Sequence, residues 1–106
     1  MVTQAFDVMG VVSRVAAAHD LSLTQLRVMA ILRDRQPRMS ELADYLGLDR
    51  SSLTGLVSRG EARGLLVRVP DPSDSRATRV ALTDAGVAVA RIGAEEIRAG
   101  VAALGE

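Results

Sequence analysis

The sequence predicts a mostly helical domain with one small β-hairpin. Three observations predict it. Apolar residues recur at spacings of three and four through most of the chain, the period of a helix that packs on one side. Two short helical patterns, at 39–46 and 50–63, are separated only by Gly47, Leu48 and Asp49. A stretch dense in turn formers, PDPSDS at 70–75, lies between β-branched runs at 65–69 and 78–82, which is the signature of a hairpin.

The elements follow in order. Residues 4–19 read as a helix with Phe6, Met9, Val12 and Ala16 on one side, broken by Asp20 and Leu21. Ser22 and Gln25 form a capping box, and it opens a helix over about 23–35 that turns Leu26, Met29, Ala30 and Leu32 inward until Pro37 stops it. Met39, Leu42, Ala43 and Leu46 form the apolar side of the next helix. Gly47 stands where a left-handed residue ends it, and Asp49 caps the following one, which Gly64 ends in the same way. Two short helices about a tight glycine turn make a helix-turn-helix. The hairpin that follows at once is a wing. Thr83 then caps a last helix to about Leu104, with Val87, Ala90, Ala94, Ile97, Val101 and Leu104 on a coiled-coil-like seam.

Composition bounds what such a domain does. The 106 residues suffice for one domain, and 48% of them are apolar. The core is built from Val, Ala and Leu, because Phe6 and Tyr45 are the only aromatics. The absence of cysteine excludes disulfides and thiolate metal sites within the chain, and His19 is the single histidine. His19 ends the first helix, where an imidazole interacts well with the helix dipole. No apolar run reaches the roughly 18 residues of a membrane span and no signal peptide is evident, so the expected location is cytoplasmic. No nucleophile–base pair, phosphate-cradling glycine loop or metal cluster stands out, so neither an enzyme nor a bound cofactor is expected.

The net charge of zero hides an uneven distribution. Residues 1–49 hold five Arg and six acids (−1), residues 50–79 six Arg and three acids (+3), and residues 80–106 two Arg and four acids (−2). The positive segment coincides with the second helix of the helix-turn-helix and the hairpin, the footprint expected of a face that meets nucleic acid. On the helix, Leu53, Leu56, Val57 and Gly60 point one way, while Arg50, Ser51, Ser52, Thr54, Gly55, Ser58 and Arg59 populate the remainder. Short hydroxyl side chains let a helix approach a groove and bond phosphates or base edges. On the hairpin, Arg76 suits the minor groove, with Asp74 holding its guanidinium in a bidentate pair. Arg68 and Arg79 are placed to reach the DNA backbone.

These residues resemble the MarR (multiple antibiotic resistance regulator) family of bacterial winged helix-turn-helix repressors. LSLTQLRVMAIL at 21–32 looks like the family's helix before the motif, and MSELADYLGLDRSSLTGLV at 39–57 like its helix-turn-helix. DPSDSRATRVALTDAG at 71–86 looks like its wing, with Asp74, Arg76, Leu82 and Thr83 at the family's spacing, and EARGLLVR at 61–68 is typical of the turn into that wing. The resemblance implies a homodimer on a pseudo-palindromic double-stranded DNA operator, with each recognition helix in a major groove and each wing in a flanking minor groove. It also implies release of DNA when a small phenolic or anionic effector binds between the dimer helices and the DNA lobe. On this reading 1–106 is a single winged helix domain, with 1–19 and 84–106 as dimerisation helices and 22–83 as the DNA-binding lobe.

Two departures stand out. Family members usually carry two C-terminal helices in the dimer, whereas this sequence stops at Glu106, so the last helix is missing or the protein is unusually short. Gly55 and Gly60 replace a larger, often basic residue and an apolar one. Each glycine inside a helix costs about 1 kcal/mol against alanine: either the two allow close approach to DNA or to a neighbour, or this helix is softer than usual. The expected function is a transcriptional repressor. The alternative is a winged helix that contacts another protein through its basic face without specific DNA binding.

Overall fold

The computed structural model describes the backbone of residues 2–105 and the side chains of residues 5–105. The described residues form five helices, α1 (Val2–Ala18), α2 (Leu23–Ile31), α3 (Met39–Leu46), α4 (Arg50–Ala62) and α5 (Asp84–Leu104), with a hairpin of β1 (Leu66–Asp71) and β2 (Asp74–Leu82) between the last two. The order is the one the sequence predicts. Leu42, Leu53, Val28, Val57 and Val80 are the largest fully buried side chains. The core therefore sits where α2, α3, α4 and the base of the hairpin meet.

Local chemistry sets the joints. The Ser22 hydroxyl accepts from Gln25 N–H while Gln25 Oε1 accepts from Ser22 N–H, completing the capping box. Asp49 accepts from Ser52 N–H to start α4, and Gly47 takes φ 68° between the two helices. The end of α1 is a Schellman turn with aspartate in the place glycine usually takes. Asp20 has φ 61°, and Leu21 N–H reaches back to Ala16 O at 2.8 Å. Thr83 accepts from Gly86 N–H and donates to Gly64 O, so one side chain caps α5 and ties it to the end of α4.

Several expectations are corrected. Helix α2 stops at Ile31 rather than near residue 35. A turn at 32–34 follows, and the chain then joins the hairpin: Pro37 O accepts from Val80 N–H at 3.0 Å, and Arg38 forms a bridge with Arg79 of β2. A longer helix would forfeit that pairing, and the residue before a proline resists the helical conformation. Ala30 is exposed, and Val28 takes its place inward. On α1 the inward row is Val11, Val15 and Ala16, while Phe6 and Met9 are 71% and 47% exposed.

Helix α5 turns only part of the expected seam inward. Ala90 is buried and Ile97 and Val101 pack against the core, with Gly86 and Gly93 buried beside them, whereas Val87 and Leu104 are exposed. The glycines let backbones close up: a Cβ on Gly100 would fall 2.6 Å from Val11 Cγ1. The hairpin is longer than the two β-branched runs. Its antiparallel register runs from Leu66↔Leu82 to Pro70↔Thr78, then jumps to Asp71↔Asp74. The jump bulges Ser75, Arg76 and Ala77 out of β2, and a bulge re-aims the side chains it carries.

Candidate nucleic-acid interface

A groove of about 530 Å³ opens between the N-terminus of α3, the exposed side of α4 and the bulge of β2. Arg38, Arg50, Arg68 and Arg76 line it with Ser40 and Thr54, and no carboxylate is among its lining residues. The helix face and the wing arginine picked out in the sequence thus border one cleft.

On α4, Ser51, Ser52, Thr54, Ser58 and Arg59 are exposed, as is Arg50, and Gly55 is half-exposed. Not all are free to bond a ligand. The Ser51 hydroxyl donates to Asp49 Oδ1 at 2.8 Å, and the Ser58 hydroxyl accepts from Arg68 Nη2 at 3.1 Å. Hydrogen bonds from Ser52 N–H and the Ser51 hydroxyl hold the Asp49 carboxyl below its ordinary value. The carboxylate already occupies part of the positive N-terminus of α4. Arg50 and Arg59 form no ion pair among the described residues.

Arg76 extends from the bulge with its side chain 92% exposed. Asp74 is its neighbour, but not as a bidentate partner. One oxygen, Asp74 Oδ1, accepts from Arg76 N–H at 3.0 Å and lies 3.4 Å from Arg76 Nε. The carboxylate shapes the turn more than it grips the guanidinium, whose head stays open to solvent.

Arg68 stitches β1 to α4. It pairs with Glu61 and donates from Nη2 to Thr54 O and the Ser58 hydroxyl. Arg79 is not brought to the groove. Its Nε donates to Asp71 Oδ2 at 2.9 Å and its Nη1 to Gln36 O at 2.6 Å, and it lines a separate cavity.

The residue that organises this region, Asp71, was not singled out by sequence reasoning. Its side chain is fully buried. Oδ1 accepts from the Ser73 hydroxyl at 2.7 Å and Ser73 N–H at 2.8 Å, while Oδ2 accepts from Arg38 Nε at 2.7 Å and Arg79 Nε at 2.9 Å. The Ser73 bonds, reinforced by Arg38 against the cost of burial, hold the carboxyl well below the usual carboxylate range. An Asp-x-Ser turn is legible in the sequence. The convergence of arginines 33 residues upstream and 8 downstream is not. At the far end of α4, Arg63 donates to Asp20 O and His19 O, and His19 Nε2 meets Glu96 Oε1 of α5 at 2.5 Å. His19 is therefore a tie between helices as well as a helix end.

Residues 19–77, which include the whole helix-turn-helix and most of the wing, match the sequence profile of the MarR family. The chain belongs to that family. Among curated relatives, it is 36% identical over 75 residues to the HTH-type transcriptional repressor NicR of Pseudomonas putida, covering 68% of this chain and 48% of NicR. It is 33% identical over 86 residues to the transcriptional activatory protein BadR of Rhodopseudomonas palustris, covering 81% of this chain and 40% of BadR. The chain thus spans under half the length of either relative. Solved structures agree on the MarR fold. The transcriptional regulator Tm0710 from Thermotoga maritima superposes with TM-score 0.82 at 30% identity, over 94% of this chain and 71% of that one. NadR, solved in complex with 4-hydroxyphenylacetate, superposes with TM-score 0.85 at 24% identity, over 97% and 74% respectively.

Proposed function

We propose that this chain is a sequence-specific DNA-binding transcriptional regulator that acts as a homodimer on a pseudo-palindromic operator. The groove lined by four arginines between α4 and the wing carries the reading. In it, α4 enters a major groove through Arg50, Ser52, Thr54, Gly55 and Arg59, with Ser51 and Ser58 oriented by their partners. Arg76 enters the adjacent minor groove, where a narrow, A·T-rich stretch attracts a guanidinium. Asp74 shapes the turn that presents it. Arg38 and Arg68 add positive charge along the backbone path between the two grooves. Arg79 acts from behind, as a support for the wing.

Exposed Phe6 and Met9 on α1, with Ile92 and Leu104 on α5, supply apolar surface for a second copy. On this reading 1–19 and 84–106 serve the dimer and 22–83 serves DNA. Named relatives act in opposite senses, one a repressor and one an activatory protein. Repression is the simpler outcome for a dimer lying across a promoter. A small phenolic or anionic effector completes the reading, in keeping with the 4-hydroxyphenylacetate held by the similarly folded NadR. The protein works in the cytoplasm, and no described helix is long and apolar enough to cross a membrane.

Selection of preferred duplexes from a random pool tests this. The expected result is a palindromic consensus, bound far more tightly than random duplex, with an affinity that falls steeply with salt. Equal binding of all duplexes favours a protein-contact module instead.

A further inference from the structure

The C-terminal end of α4 is tied to the α1–α5 pair at two places, and the two joints differ in kind. The first lies at the start of α5. The Thr83 hydroxyl donates to Gly64 O at 2.6 Å and Thr83 N–H to Leu65 O at 3.0 Å, and Gly86 packs so tightly that no Cβ fits between it and Leu65 O. The second is a single side chain. Arg63, the residue that closes α4, donates from Nη1 to Asp20 O at 2.6 Å and from Nη2 to His19 O at 3.0 Å.

This second joint suits a guanidinium. Asp20 holds φ 61°, uncommon outside glycine, and both carbonyls lie just past the end of α1. A helix C-terminus carries partial negative charge, which favours a cation. A planar fork reaches two acceptors at once, whereas an ammonium is a point charge. Arg63 has no carboxylate partner among the described residues. Its own backbone is held as well: Arg63 N–H reaches Arg59 O, Gly64 takes φ 74°, and Leu65 N–H closes on Gly60 O. From His19 the link runs on to α5, because His19 Nε2 meets Glu96 Oε1 at 2.5 Å.

Elsewhere these layers meet through apolar contact. A Cβ on Gly93 of α5 would lie 3.6 Å from Leu26 Cδ1 of α2 and 3.8 Å from Val15 Cγ1 of α1, ordinary van der Waals distances. Apolar packing is non-directional and lets helices slide by small amounts. Hydrogen bonds are directional. One joint leaves a pivot, and a second joint away from the pivot fixes the angle. We propose that Arg63 is a positioning residue that sets the angle of α4 against α1 and α5, and through it the separation at which a dimer accepts two half-sites. The joint stands on the geometry alone; its bearing on DNA rests on the function proposed above. In a symmetric dimer both copies of α4 turn together, so a small change of angle acts twice.

The test has two arms, with Arg63→Gln and Arg63→Lys checked for folding by thermal melts. The chain has no cysteine, so Arg59→Cys on α4 and Arg98→Cys on α5, both exposed, accept a pair of spin labels. Dilution with unlabelled chain isolates the distance within one protomer. A narrow distribution is expected with Arg63 and a broad one with R63Q. In the second arm, unlabelled proteins bind duplexes carrying two selected half-sites with centres about 9–13 base pairs apart, bracketing a helical turn of about 10–10.5. The wild type should show one optimum. R63Q should flatten the preference for that optimum about tenfold, the loss of one charge-assisted hydrogen bond, and bind a lone half-site as before. R63K, which keeps the charge but not the fork, should behave like R63Q. An unchanged distance distribution or an unchanged spacing preference in R63Q overturns the proposal. So does an equal loss on every duplex, lone half-site included, which is the mark of simple destabilisation. If the wild type prefers no duplex, the regulatory reading fails, and the labels still decide whether Arg63 holds the angle.

Discussion

Gly60 of α4 and Leu66 of β1 are packed so closely that a Cβ on the glycine would lie 2.5 Å from Leu66 Cδ1. The contact fixes how far the wing stands from α4, and so the spacing of the two elements proposed to enter adjacent grooves of DNA. It also separates the roles of two glycines on one helix. Gly55 meets only the mobile end of Arg59, at 3.2 Å, whereas Gly60 meets a packed leucine.

Opposite outcomes are therefore expected for the two alanine variants. Gly60→Ala forces Leu66 aside and destabilises the fold by about 1–3 kcal/mol, the usual cost of overpacking. Gly55→Ala stabilises it by up to about 1 kcal/mol through helix propensity, since Arg59 can give way. Urea midpoints of the two variants check this, and equal shifts of the same sign would refute it.

Arg76→Ala removes a side chain that is 92% exposed and whose one polar partner among the described residues is Asp74. Stability should not change. Affinity for the selected duplex should fall by roughly 1–3 kcal/mol at fixed salt, the scale of one good groove contact. Undiminished binding would remove Arg76 from the interface.

Asp71 makes stability depend on acid. Its folded carboxyl lies below the ordinary value, which favours the charged form in the native state. The stabilisation is fully present above the unfolded value of about 3.9 and drains away as pH falls from there toward the folded value. Asp71→Asn should lower Tm at neutral pH, because Arg38 and Arg79 lose their shared negative charge, and flatten its decline in acid, because the titrating carboxyl is gone. A variant that keeps the wild-type acid slope would assign that slope to other carboxylates.

Phe6→Glu places a charge on apolar surface that is 71% exposed in the single chain. Secondary structure should persist while sedimentation shifts from dimer to monomer. Duplex binding should weaken with it, since half-sites are then held independently. Dimers of undiminished strength would place the interface elsewhere.

Much of this architecture was legible in the chain because its signals are local. Ser22, Asp49 and Thr83 cap helices with atoms three residues away, and Gly47 and Gly64 turn the backbone by their own lack of a side chain. The inward side of α4 was legible for the same reason: Leu53, Leu56, Val57 and Gly60 repeat within one helix. The inward sides of α1 and α5 were legible only in part: Ala16 and Ala90 are buried as expected, whereas Phe6 and Val87 are exposed. Both helices are apolar on more than one side, so periodicity alone does not say which side meets the domain and which awaits a partner.

The sequence by itself determined the order of elements, the helix-turn-helix with its wing, and the concentration of positive charge upon them. Only the tertiary structure decided which arginines are available. Arg50, Arg59 and Arg76 remain open, Arg68 is tied to Glu61, and Arg38 and Arg79 are claimed by Asp71. A guanidinium on a long, flexible stem finds its carboxylate through space rather than along the chain. Its partner is set by how the packed helices bring distant residues together, and no spacing in the sequence encodes it.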